Sequence, residues 1–255
     1  MWILILIVLA VVVYFVMSQA SSTNQSSKAS SKTQASKALS QNYSNQVDYS
    51  NLEVSLESDL PGQDYTHLRD LLAEGKWKEA DQETGRMMLL VGIMAIQRKN
   101  RDREYDIGYR EDRLLIGPIQ FLPCKDLCTI DRLWLKYSKG RFGFSVQKRI
   151  VSEIGDDALS ILLSILETHN NKTFEMCETF ERRIGWKTPN DNRKIYKDLT
   201  FSIEAPYGHL PTATYYRKGT IHSQKDVSFE TEEVDGGCIN LVVTLNRLLS
   251  CGIAL

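Results

Sequence analysis

Residues 123–149, PCKDLCTIDRLWLKYSKGRFGFSVQKR, decide how the chain is read. They set Trp134, Tyr137, Phe142 and Phe144 close to Lys136, Lys139, Arg141, Lys148 and Arg149. Ile130, Leu133, Trp134 and Tyr137 recur at helical spacing and make one apolar face. Thr129 is the expected N-cap, with Asp131 in the first turn. Ser138-Lys139-Gly140 ends that helix, Gly140 taking the left-handed C-cap position. Ser145 is expected to cap a second helix whose Val146, Ile150 and Ile154 face one way. Phe142-Gly143-Phe144 lies between the two. Two aromatic rings around a glycine, in a loop flanked by cations, suit a flat, apolar, anionic ligand. The same residues also suit a core with a solvated cationic rim.

The rest of the chain divides around this stretch. Trp2 to Met17 is an apolar run without a charge, long enough at about 1.5 Å per residue to enter a bilayer. Ser18-Gln19-Ala20 resembles a signal-peptidase site, so a cleaved leader competes with an anchor. No basic residue precedes the run and Lys28, Lys32 and Lys37 follow it. An uncleaved transmembrane helix over 1–17 is therefore expected, with the body on the cytosolic or stromal face. Residues 18–58, rich in Ser, Gln, Asn and Lys, read as a flexible linker. The folded domain is expected over 59–255.

Asp64 is placed to cap a short helix carrying Leu68, Leu71 and Leu72, which Gly75 ends. A second helix carries Trp77, Ala80, Thr84, Met87, Met88 and Val91. The pair resembles one tetratricopeptide unit, but no second copy follows at that period. Residues 98–113 hold eleven charges in sixteen positions and read as a solvated loop or an ion-paired helix. Gly117-Pro118 breaks the next apolar stretch, and Pro123 opens a helix. Residues 156–172 form a helix apolar on nearly every side. Phe174, Cys177, Phe180 and Ile184 share one face of a helix capped by Thr173. Residues 197–204 alternate apolar and polar without a partner strand. Residues 212–237 show little periodicity, and Leu241, Leu245 and Leu248 mark a final helix.

Composition narrows the function classes. The chain has 255 residues, 42% hydrophobic and 25% charged, which allows one domain of about 200 residues with an appendage. Net charge is −1, with +2 on the first fifty residues and −3 on the remainder, so no basic nucleic-acid surface is expected. Cys124, Cys128, Cys177, Cys238 and Cys251 are odd in number and form no CxxC pair, and reduced thiols are expected. His67, His169, His209 and His222 lie in no catalytic motif, and no phosphate loop, G-x-S-x-G or H-E-x-x-H occurs. The chain reads as a non-catalytic binding protein.

Four blocks carry a resemblance: LRDLLAEGKWKEADQETGRMM, DLCTIDRLWLKYSKGRFGFSVQKRI, ERRIGW and DLTFSIEAPYGHLP. Their types and order resemble the porphyrin-binding family of the fourth genomes-uncoupled factor. GRFGFSVQ and the APxGHLP ending are its specific signals, and the likeness spans about residues 60–251. The resemblance implies an all-α fold, a compact helical cupped hand with long loops and a greasy palm. Matched motifs put Leu122, Ile130, Phe142, Phe144, Trp186, Leu199 and Phe201 in that palm. Arg132, Arg141 and Arg182 are the candidate cations for the propionates, and Tyr207 the loop contact. The family loop reads N-A-P-R-G-H-L-P, whereas this chain has Glu204 and Tyr207 at the Asn and Arg positions. Glu204 offers an oxygen to magnesium held in a bound porphyrin, while Tyr207 removes a cation.

The implied ligands are protoporphyrin IX and Mg-protoporphyrin IX, with no covalent cofactor. The implied role is stimulation of magnesium chelatase in chlorophyll synthesis, through the large porphyrin-binding subunit of that enzyme. The setting would be a plastid or a cyanobacterium. The rival is a membrane-tethered signalling or scaffold module of the same fold, sensing haem or a bilin.

Overall fold

Asp131 sits inside the helix that the quoted stretch forms and reaches out to start the next one. In the computed structural model that helix, α4, runs Cys124–Tyr137, and α5 runs Phe144–Ser152. The structure describes residues 48–99, 116–155, 157, 160, 171–212, 218–223, 226–230 and 237–253. The expected anchor over 1–17, and the apolar segment 156–172 apart from its last two residues and positions 157 and 160, lie outside them. So do most of the charged run 98–113 and the first thirty residues of the expected linker. Among the described residues no helix is long and apolar enough to cross a membrane.

Pro123, not Thr129, is the N-cap of α4. Its fixed φ is already helical and it has no N–H to leave unpaired. Thr129 therefore falls inside the helix, where its hydroxyl donates to the Ser55 carbonyl at 3.2 Å. Ile130, Leu133 and Trp134 are buried on the expected face. Lys139 and Gly140 both take positive φ, 55° and 74°, and end the helix as expected. Ser145 does not cap α5 with its own side chain. Gly143 is the N-cap, and the Ser145 backbone N–H donates across to Asp131 Oδ1 at 2.8 Å. At Gly143 φ is 137° and an added Cβ would lie 2.9 Å from that same oxygen, so a side chain there would break the junction. Burial pushes the Asp131 carboxyl up, and its bonds to the α5 N-terminus pull it back.

Around this pair the helices pack as α1 (Thr66–Ala73), α2 (Trp77–Lys99), α3 (Ile116–Phe121), α6 (Asn171–Arg183) and α7 (Gly237–Ser250). α2 is central, buried from Ala80 to Ile93 on nearly every side, and α1, α3 and α4 pack on it. Pro118 sits in the first turn of α3 rather than breaking it, where a missing N–H costs nothing. α7 covers α3, α4 and α5, and α5 also meets α6. The helical class holds for this packed body. A short antiparallel hairpin adds to it, Lys218–Ser223 (β1) with Asp226–Glu230 (β2), in register Lys218↔Glu230 to Ile221↔Val227. Val227 and Phe229 alternate with polar residues in β2, but two apolar positions are too few to mark a strand.

Three expectations are corrected here. Phe174 does not share the buried face of Cys177 and Phe180, being 65% exposed. The compact unit begins at Asp48, and Tyr49, Leu52, Val54 and Leu56 pack against the core, so residues 48–58 are not tether. The cysteines are not all reduced: Cys124 bonds Cys251, Cys177 is also in a disulfide, and Cys128 is free. The first bridge spans 127 residues, so in the chain-entropy account it stabilises by about 5 kcal/mol.

Replacing Asp131 with Ala strands buried N–H groups at the α5 N-terminus. Urea unfolding should show a loss of about 2–3 kcal/mol. Asp131→Asn, which keeps the acceptor, should recover more than half of it.

Candidate functional site

The two motifs that stand out in the sequence, GRFGFSVQ and EAPYGHLP, fold onto one another. The Gly143 N–H donates to the Leu210 carbonyl at 3.0 Å, and the Gly208 N–H to the Arg141 carbonyl at 3.0 Å. Arg141 Nε donates to the Ala205 carbonyl at 2.8 Å. Gln147, fully buried on α5, donates through Nε2 to the carbonyls of Gly208 (3.0 Å) and Pro211 (2.9 Å). Gly208 has φ 71° and an added Cβ would lie 2.5 Å from Ile150 Cδ1, which is why the loop needs glycine there. Further along, Asp81 of α2 accepts from the backbone N–H and hydroxyl of Thr212 and from the Tyr196 hydroxyl.

His209 is the loop's internal pin. Its ring is fully buried. Nδ1 faces the Ile184 carbonyl, and Nε2 accepts the Thr200 N–H at 3.1 Å. A carbonyl can only accept, so the proton sits on Nδ1 and the ring is neutral. The His209 carbonyl in turn accepts Trp186 Nε1–H at 2.9 Å. Burial pushes the imidazole down to about 4, helped by the charge of Lys194. Both nitrogens are committed, so His209 builds the loop and has no position free for acid–base work.

The clasp leaves a distinctive surface. Tyr207 is half-buried, with the Arg141 and Arg149 guanidiniums 5.9 and 5.8 Å from its ring centre. Arg149 also hydrogen-bonds the Tyr207 phenol, whose ionisation burial pushes up. Phe201 is half-buried, its ring 5.1 Å from that of Tyr196 and 5.8 Å from Lys78 Nζ. Ile203 is 39% exposed, and Glu204 beside it is exposed. Flat apolar surface ringed by cations can receive a flat, anionic molecule. Among the described residues no cluster of His, Cys, Asp and Glu could hold a bare metal ion.

The expected palm, rim and loop residues separate into two groups. Leu122, Ile130, Phe142, Phe144 and Trp186 are fully buried, and Leu199 is 6% exposed. They are core in this conformation: Phe142 meets Trp77 and Trp134 edge-on at 5.6 and 6.2 Å, and Trp186 meets Phe180 at 6.0 Å. Phe201, Tyr207, Arg141 and Glu204 are the ones with surface to offer. Arg132 is exposed on α4, and Arg182 is exposed and paired with Asp191 at 3.0 Å. Among the described residues neither has a contact that joins it to the Tyr207 surface. Sequence reasoning missed Arg149, Lys78 and Ile203 as site residues. Arg149 stood in the quoted stretch as one cation among seven, and only the fold of the loop distinguishes it.

Comparison with known proteins identifies relatives. The family model described as GUN4-like matches residues 58–225. A Ycf53-like protein of Synechocystis sp. is 29% identical over 157 residues, 61% of this chain and 54% of that protein. A chloroplastic tetrapyrrole-binding protein of Arabidopsis thaliana is 26% identical over 151 residues, 59% of this chain and 48% of that one. The chain thus spans about half the length of the curated relatives it matches. The solved structure of GUN4 from Chlamydomonas reinhardtii has 25% identity and a TM-score of 0.44, covering 75% of this chain and 94% of that one.

The unfolded chain binds a proton at His209 near pH 6.5, the folded chain only near pH 4. The stability this provides is complete above pH 6.5 and is lost as pH falls from there toward 4. Unfolding free energy should fall by about 2 kcal/mol between pH 7.5 and 5 from this group. His209→Gln should remove most of that slope in urea titrations at the two pH values.

Proposed function

The chain belongs to the GUN4-like family, and from that premise we propose that it binds a tetrapyrrole and regulates chlorophyll synthesis in a plastid or cyanobacterium. It does so as a binding protein, without catalysis. The observation that supports this reading is the clasp of the two motifs, which leaves the Tyr207 ring half-buried with the Arg141 and Arg149 guanidiniums beside it, while Phe201, just ahead of the loop, is half-buried with Lys78 near its ring. A macrocycle has two large apolar faces, and burying one contributes about 25 cal/mol per Å². Its propionates then need cations at the rim, and guanidiniums pair with carboxylates in two-pronged fashion.

In this proposal the ring lies against Phe201, Ile203 and Tyr207, above the buried palm residues. Arg149 supplies the charge that Tyr207 leaves out of the loop. The ligands are protoporphyrin IX and Mg-protoporphyrin IX, held without a covalent bond. Glu204, exposed at the edge of this surface, offers its carboxylate to magnesium inside the ring. The bound pigment is presented to the large porphyrin-binding subunit of magnesium chelatase, which the protein stimulates. The apolar run 1–17 tethers it to a membrane, with the domain on the stromal or cytosolic face.

Tryptophan quenching on titration with protoporphyrin IX measures the affinity. Arg149→Ala should weaken binding by about 1.5–3 kcal/mol, the range for a hydrogen bond to a charged group, with little change in melting temperature. Quenching by no tetrapyrrole, in the wild type, would remove the reading. A second measurement concerns the metal: Mg-protoporphyrin IX should bind more tightly than the free porphyrin, and Glu204→Ala should narrow that gap. A substitution that shifts both affinities equally would clear Glu204 of metal contact.

A further inference from the structure

Two disulfides of unlike exposure join this fold. Cys177, which is disulfide-bonded, is 3% exposed, so its sulfur is shielded. Cys124 and Cys251 are both half-buried, so a reductant can reach them. Exposed bridges are the labile kind, and buried ones resist reduction. Cys128, the free thiol, is one helical turn beyond Cys124. Side chains at that spacing hold Cβ atoms about 5–6 Å apart, beyond the roughly 3.5–4.5 Å a disulfide requires. While α4 stays helical, Cys128 does not compete for Cys124.

The half-buried bridge ties the C-terminal tail to the start of α4. Cys251 follows the last turn of α7, and beyond it the Ile253 carbonyl accepts from Lys148 Nζ of α5 at 3.0 Å. Arg247 Nε donates to the Leu122 carbonyl at 2.8 Å, beside Cys124. Leu241, Leu245 and Leu248 are buried in the core. Lys148 is followed by Arg149, the residue that flanks Tyr207. The tail therefore bears on the helix that carries the ring-flanking guanidinium.

We propose that the Cys124–Cys251 disulfide is a redox latch: closed, it holds the tail on Lys148 and so α5 and Arg149 in place against Tyr207; open, it releases them. The inference rests on the tetrapyrrole reading of that surface. Opening needs a dithiol reductant. One of its thiolates attacks a sulfur of the bridge, the S–S bond breaks and a mixed disulfide forms. The second thiol displaces the protein sulfur. The reductant ends as a disulfide, and the two electrons and two protons it loses leave Cys124 and Cys251 as thiols. A preorganised site binds better than one that must be ordered on binding, so the open form binds tetrapyrrole more weakly.

The test uses the full chain in detergent, oxidised or treated with dilute dithiothreitol, with thiol titration to show that two thiols appear and the Cys177 bridge persists. Protoporphyrin IX is the probe, and hydrogen exchange reports residues 148–153 and 245–253. Reduction should raise exchange in both segments and weaken binding about tenfold. Cys128→Ser should behave as wild type. The Cys124→Ser/Cys251→Ser variant should bind weakly in either buffer and no longer respond to dithiothreitol. Equal affinity of the oxidised and reduced wild type, or unchanged exchange, overturns the latch and leaves tetrapyrrole binding standing. Binding in neither state overturns the tetrapyrrole reading and the latch with it.

Discussion

A buried carboxylate makes the rest of this structure possible. Asp131 is 2% exposed, and its oxygen accepts the Ser145 N–H at the start of α5. Helix N-termini carry unpaired N–H groups and a partial positive charge, so an anion from a neighbouring helix satisfies both needs at once. The geometry leaves no room for a side chain at Gly143. α4 and α5 are thereby fixed to one another at a single point. Three contacts then run from α5: Gln147 holds the loop, Lys148 the tail and Arg149 the Tyr207 ring.

The core and the candidate site use the same residue types for different ends. Phe142 meets Trp77 and Trp134 edge-on while the two indoles are tilted 31° to one another, and Phe180 with Trp186 form another edge-on pair. Aromatic pairs of this kind add to the burial they already contribute. Phe201 and Tyr207 lie at the margin of that packing and keep part of each ring outside it. The loop stays in place because its polar groups are bonded inward, through His209, Gln147 and Arg141, and through Asp81 at its end. A loop so tied does not need to order itself when something lands on it.

Much of the fold was legible in the sequence because helical periodicity is a local signal. The face of Ile130, Leu133 and Trp134, the Gly75 and Gly140 stops and the final helix follow from residues three and four apart. The Leu52, Val54, Leu56 alternation was equally local, and it marks the extended segment that packs on the core. A polar linker precedes it and blurs its start. Caps were less legible. Thr129 and Ser145 have the right chemistry, but Pro123 starts α4 earlier and Asp131 reaches α5 from fourteen residues away. The hairpin of β1 and β2 has only a brief alternation, at Val227 and Phe229, too short to stand out.

The sequence by itself determined the helical class, the family and the two motifs that matter, since each depends on residue types in short, fixed order. Only the tertiary structure decided what those motifs do. Burial and neighbourhood are properties of contacts distant along the chain, and no spacing rule reports them. That is why Phe142 and Phe144 are core while Phe201 and Tyr207 keep surface. It is why Arg182 is engaged by Asp191 and Arg149 by Tyr207. It is also why Cys124 finds Cys251 across 127 residues and leaves Cys128, one turn away, as a thiol.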